Sequence, residues 1–144
     1  MSIGKISSAI PISKIASGGE LARIMLAIKS ALADKEGVSG LIFDEIDAGV
    51  SGKTARKIGI KMLELSRSSQ IFCVTHSAQI ASLADKHFLI GKRDVNGVSE
   101  TNVRELEESG RVDELSRILG GINVTDAQKA AALDMLKERS NYTF

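Results

Sequence analysis

Residues Leu41-Ile42-Phe43-Asp44-Glu45 constrain the fold of this chain more than any other stretch. A short apolar run ending in adjacent carboxylates reads as a buried strand whose carboxyl end opens on the crevice where α/β sheets bind ligands. An Asp held there can take Mg2+ directly or through water, and the carboxylate beside it can polarise an attacking water. Out of context the same five residues serve equally well as two loop acids beginning a turn. The flanking sequence favours the strand.

Gly40–Phe43, Ile71–Val74 and Phe88–Ile90 are three such short apolar runs, read as buried strands, and segments of helical period separate them. Before the first run, Ser17 is a candidate N-cap, and Leu21, Ile24, Met25, Ile28 and Leu32 recur at helical spacing. That helix is expected to end near Asp34, before Gly37. A second helix starts at Ser51, with Ile58, Met62 and Leu65 on its inner face and Arg56, Lys57, Lys61 and Glu64 mostly outward. A short helix spans Ser77 to Ala84. Asp94-Val95-Asn96-Gly97 reads as a hairpin turn, with Val98 to Leu106 returning. Val112, Leu115, Ile118 and Leu119 form a further helical stripe, stopped by Gly120-Gly121. Thr125 and Gln128 have capping-box spacing for a last helix that runs to about Arg139. This order predicts an α/β fold, mainly a parallel sheet flanked by helices, with a C-terminal hairpin and helices. Residues 1–13 form a lead-in or an unusual join, and 14–144 one lobe.

At 144 residues a single domain is the default. Net charge is +1, so no strong basic field points to nucleic acid. Four Phe, one Tyr and no Trp offer few stacking platforms for single strands. Cys73 is the sole cysteine, which excludes an internal disulfide framework and a cysteine-based zinc site and suits a reducing, cytoplasmic setting. Lys5 and Lys14 interrupt the apolar residues at the N-terminus, so no signal peptide is expected. No apolar run approaches the ~20 residues of a membrane helix.

Two further elements bear on chemistry. In Ser17-Gly18-Gly19-Glu20 a pair of glycines at a helix start lets the backbone approach a phosphate, and the helix N-terminus adds N–H donors and a positive dipole. Alone it would be an ordinary N-cap. Thr75-His76 follows the second apolar run, which places an imidazole near Asp44. Alone, a histidine there is more often structural. Gly52-Lys53-Thr54 imitates a phosphate loop, but Asp47 stands where the earlier glycine belongs, and no true Gly-x-x-x-x-Gly-Lys-Ser/Thr loop occurs in the sequence.

The order and spacing of these elements carry more than any one of them. Together they resemble the C-terminal half of an ABC-type ATPase head of the class that includes SMC proteins. Ser17-Gly18-Gly19-Glu20 resembles the signature, Leu41–Glu45 the Walker B strand and Thr75-His76 the switch-histidine loop. Lys14–Lys29, Ile42–Gly52, Val74–Ala81 and Ser116–Gly121 are similar to the RecN family of bacterial DNA-repair proteins. Val50-Ser51, where SMC proteins usually carry Leu-Asp, favours that family. The similarity covers roughly residues 14–139; residues 1–12 depart from it.

The resemblance implies an ATP- and Mg2+-dependent enzyme with two ATPs sandwiched between two heads. Asp44 would organise Mg2+, Glu45 would activate water and His76 would sense the γ-phosphate. Ser17, Gly18, Gly19 and Glu20 would cap the partner head's ATP, while Asp47, Gly49 and Ser51 would lie at the dimer seam. The partners implied are an N-terminal half bearing the P-loop (Walker A), a second head and, in the intact protein, DNA; no membrane is involved. The setting implied is cytoplasmic and nucleoid-associated, and the work is double-strand-break repair and recombination. Without a P-loop the chain alone is expected to be inactive, with an apolar surface exposed where the other half would pack. The alternatives are the head lobe of another SMC-like ATPase and a non-catalytic structural lobe. Arg56, Lys57, Lys61 and Arg67 share a helix but read as a solvated face.

Overall fold

The computed structural model describes residues 16–32, 40–95 and 97–142. The lead-in, the expected helix end near Asp34 and Asn96 of the hairpin turn lie outside the described residues.

Helix α1 spans Gly18–Leu32, strand β1 Gly40–Asp44, helix α2 Gly52–Leu65 and strand β2 Gln70–Val74. β1 and β2 pair in parallel from Gly40↔Gln70 to Asp44↔Val74. A parallel pair requires a long crossover, and α2 supplies it. Ser51 caps α2: its backbone is extended and its hydroxyl oxygen accepts from the Thr54 N–H at 3.4 Å. The deceptive Gly52-Lys53-Thr54 is therefore the first turn of a capped helix rather than a phosphate loop.

The short helix α3 (Ala78–Ala81) leads to strands β3 (Phe88–Val95) and β4 (Val98–Glu105), then to helices α4 (Glu108–Gly120) and α5 (Asp126–Ser140). β3 does not extend the parallel sheet among the described residues. It pairs with β4 in a separate antiparallel hairpin. Gly97, at φ 79°, reverses the chain between them. A connection this short can join only antiparallel strands, and local pairing prolongs β3 well beyond Ile90. Gly121, at φ 67°, stops α4 where the sequence predicts. At α5, Gln128 Oε1 accepts from the Thr125 N–H at 2.7 Å and from its hydroxyl at 3.0 Å.

One core cluster joins Leu26 of α1, Phe43 of β1 and Ile46 just after it, Ala55, Ile58, Met62 and Leu65 of α2, and Ile80 of α3. A second joins Ala78 and Ala81 of α3 to Leu115 and Ala132 of the last two helices. α3 thus has one face in each cluster. Arg111 fastens α4 to the turn that follows α3 by donating to the Ala84 carbonyl at 2.7 Å.

Two expectations need correction. The strands are buried on one face only: Phe43 is 3% exposed, but Ile42 is 78% and Phe72 and Val74 about half exposed. Successive side chains of a strand point to opposite faces, and only one face of this sheet meets α1 and α2. In α1, Leu26 is buried and Ala22 packs on the core, whereas Ile24, Met25 and Ile28 are exposed. The helix is apolar on two faces, and the longer stripe is not the one against the sheet.

Candidate functional site

The site is built on the turn that leaves β1. Glu45 has φ 56°, the one non-glycine residue among the described ones in the left-handed region. Such a backbone costs about 1–3 kcal/mol and persists only where surrounding contacts impose it. The bend returns Ile46 to the core, where it is fully buried, and buries Asp47. The Ala48 N–H closes the turn on the Glu45 carbonyl at 2.9 Å, and Gly49 follows at φ 69°. Asp44 and Glu45 remain exposed at the carboxyl end of the parallel pair.

The start of α1 presses against this turn. A Cβ placed on Gly19 would lie 2.7 Å from the Glu45 carbonyl oxygen and 3.1 Å from the Ala48 Cβ. A Cβ on Gly18 would lie 3.2 Å from Glu45 Oε2. The glycines are needed because helix and turn approach so closely. One helical turn on, Arg23 Nη1 donates to the carbonyls of Ile46 and Ala48, both at 3.1 Å. Arg23 is a site residue that sequence reading passed over; its place four residues after Gly19, on the same helix face, was the available signal.

Ser17 and Glu20 form a capping box at the helix start. Glu20 Oε2 accepts from the Ser17 N–H at 2.8 Å and from its hydroxyl at 2.9 Å, and Ser17 Oγ accepts from the Glu20 N–H at 3.3 Å. The bonds from the Ser17 backbone and then its hydroxyl hold the Glu20 carboxyl below its ordinary range. Ser17 and Gly18 face solvent; Gly19 does not.

The Thr75-His76 loop joins the site through Asp47. Its Oδ2 accepts from the Thr75 hydroxyl at 2.7 Å and from the His76 N–H at 3.2 Å, and lies 3.3 Å from His76 Nδ1. The Asp47 side chain is 2% exposed and the imidazole 85%. The Asp47 carboxylate turns inward, while Gly49 and Ser51 are exposed. A cavity of about 320 Å³, bordered by Asp47, His76 and Gln79 on one side and Ile118 and Leu119 of α4 on the other, brings the end of α4 beside the Thr75-His76 loop.

The described residues contain no cluster of three or more His, Cys, Asp or Glu suited to a metal. Mg2+ that arrives with phosphates commonly takes only one or two carboxylates and keeps its remaining positions for phosphate and water. Asp44 offers one exposed carboxylate at the strand end, and the helix start of α1 lies against Glu45 beside it. Of the basic residues on α2, Arg56 pairs with Glu138 and Lys61 with Glu64, each at 2.6 Å. No described helix is long and apolar enough to cross a membrane.

No family model matches the chain. It is 44% identical over 127 residues to DNA repair protein RecN of Bacillus subtilis, 88% of this chain and 22% of that protein. It is 42% identical over 126 residues to RecN of Halalkalibacterium halodurans, again 88% and 22%. RecN of Haemophilus influenzae is 44% identical over 126 residues, 88% and 23%. The chain therefore spans about a fifth of the length of the curated relatives it matches, in their C-terminal region. A solved structure described as "Structural biochemistry of ATP-driven dimerization and DNA stimulated activation of SMC ATPases" superposes with a TM-score of 0.53 at 27% identity, covering 76% of this chain and 66% of that one.

Proposed function

On the premise that this chain corresponds to the C-terminal region of RecN-type proteins, we propose that it is the C-terminal lobe of an SMC-type ATPase head. In the whole protein, ATP would join two such heads, and the cycle would serve DNA double-strand-break repair and recombination. The observation that supports this most is the convergence of Glu45, the glycine start of α1 and the His76 loop on one short turn.

The division of labour follows from exposure and chemistry. Asp44, exposed at the strand end, would hold the Mg2+ that accompanies the nucleotide. Glu45, beside it, would orient or deprotonate the attacking water. The His76 imidazole, open to solvent, would hydrogen-bond the γ-phosphate. Ser17 and Gly18 would present a hydroxyl and helix N–H groups to the nucleotide of the facing head, with Gly49 and Ser51 beside that seam. Bound ATP supplies the charge that metal, helix terminus and main-chain donors neutralise together, so pairing of heads and catalysis use the same contacts. The phosphate cradle itself would come from a P-loop outside these 144 residues.

The test uses this chain alone and together with a P-loop half from a RecN relative. Alone, the chain is expected to show no Mg-ATP turnover; turnover at a rate typical of ABC heads, lost in Glu45→Gln, overturns that expectation. With the P-loop half, Glu45→Gln is expected to trap an ATP-dependent head dimer on sizing, and Ser17→Arg to abolish it. Absence of any ATP-dependent dimer in the Glu45→Gln protein rejects the sandwich.

A further inference from the structure

The start of α1 and the turn after β1 meet over main-chain atoms, although Arg23 and Ala48 stand 25 positions apart in the chain. A Cβ on Gly19 would lie 2.7 Å from the Glu45 carbonyl oxygen and 3.0 Å from Arg23 Nη1. The room that glycine leaves is thus bordered on one side by the turn and on another by a guanidinium. The same Nη1 donates to the carbonyls of Ile46 and Ala48, both at 3.1 Å. Bonds from an ionised donor are the stronger kind. They brace a backbone that does not hold by itself, since Glu45 sits at φ 56°. The Ser17–Glu20 capping box fixes the first turn of the same helix. The helix start and the Glu45 turn therefore form one unit, in which neither shifts without the other.

Under the ATPase reading, on which this extension rests, the two ends of that unit serve different nucleotides. Ser17 and Gly18 would cap the ATP of the facing head, and Glu45 would act on the ATP of its own. Coupling between separate sites needs an element that both sites bias, and this unit touches both. We infer that Arg23 is a positioning residue that couples the two sites: by clamping the Glu45 turn to α1, it makes the placement of Glu45 depend on whether α1 has closed on the facing head's ATP. Arg23 would touch neither nucleotide nor water. Its effect would pass through the main chain of residues 46–48.

The test uses heads made by joining the chain to a P-loop half from a RecN relative. The head under test is paired with a saturating excess of a facing head that carries Glu45→Gln, so only the tested head turns over. The facing head is prepared with an intact P-loop half, and again with the phosphate-binding lysine of that half replaced, which removes the facing nucleotide. Wild-type turnover is expected to be roughly fivefold or more faster with the facing nucleotide than without it, the lower end of ordinary coupling between sites. Arg23→Met is expected to lose that dependence, and so is the shorter, uncharged Arg23→Gln should the first fail to fold. An arginine that only stabilised the fold would lower both rates together and leave their ratio unchanged. A wild-type rate indifferent to the facing nucleotide overturns the inference. So does a wild-type ratio retained in the folded variant.

Amide exchange at residues 46–48 of the tested head is the readout that needs no hydrolysis. With ATP held only by the facing Glu45→Gln head, exchange there is expected to slow in wild type and to stay unchanged in the Arg23 variant. Equal exchange with and without that ATP in wild type also overturns the inference. Absence of turnover in every joined head rejects the ATPase reading and this extension with it. Turnover that ignores the facing nucleotide rejects the coupling alone.

Discussion

Gly19→Ala tests the contact on which the site depends. The added Cβ would stand 2.7 Å from the Glu45 carbonyl oxygen, against about 3.3 Å for the closest ordinary C···O approach, so helix and turn must part by roughly 0.6 Å. Neither side yields easily. The oxygen is main chain in a turn closed by the Ala48 N–H, and Arg23 holds the carbonyls that follow. Overpacking of this kind costs about 1–3 kcal/mol, and the better helix propensity of alanine returns up to about 1. The net loss is about 1–2 kcal/mol, or a fall in Tm of roughly 3–7 °C for a chain of this size. Gly18→Ala is the control. Its Cβ would meet only the end of the Glu45 side chain at 3.2 Å, which can swing aside, so Tm is expected to change by less than about 2 °C. Scanning calorimetry of the three proteins is the assay, with amide exchange at residues 46–48 to locate the change. A Gly19→Ala protein as stable as wild type, with unaltered exchange there, would refute the close packing of α1 on the turn.

Other consequences are open to measurement. Arg23→Met leaves the Ile46 and Ala48 carbonyls without their donor and is expected to cost about 1–3 kcal/mol in urea unfolding, with faster exchange in the turn. Burial, and then the neighbouring Arg111 guanidinium, push the His87 imidazole below its ordinary 6.5, while Glu114 opposes them less strongly. The unfolded chain therefore takes up a proton first as pH falls, so this contribution to stability is whole above 6.5 and is lost progressively below it. His87→Gln is expected to flatten the decline in urea midpoint between about pH 7 and pH 5. The Cys73 thiol is pushed up to about 12, first by burial and then by Asp47 and Asp44. Its alkylation by iodoacetamide at neutral pH should be far slower in the native protein than in urea, and equal rates would contradict this environment.

Much of the architecture was legible from local pattern. Four apolar residues before Asp44 and four before Thr75 make short strands, Ser51 and Thr125 open helices, and Gly121 closes one, because propensity, capping and a left-handed stop act over a few residues. The spacing of Ser17-Gly18-Gly19, Asp44-Glu45 and His76 was enough to single out the residues that the fold then gathers. Which faces would be covered was not legible. Ile24, Met25, Ile28, Ile42 and Phe72 are as apolar as Leu26 and Phe43, yet they stay exposed, since burial depends on which neighbour reaches a face and not on the residue alone.

The hairpin of β3 with β4 was marked by its turn at Asp94–Gly97; that β3 stays out of the β1–β2 sheet among the described residues lay beyond the pattern. So did the placement of the site. The sequence by itself determined the elements and singled out the candidate site residues. Only the tertiary structure decided that Gly19 abuts Glu45, that Arg23 clamps the turn and that Asp47 faces inward to His76. These contacts join residues some 25 to 30 positions apart, and their geometry follows from the left-handed bend at Glu45, which packing imposes against local preference.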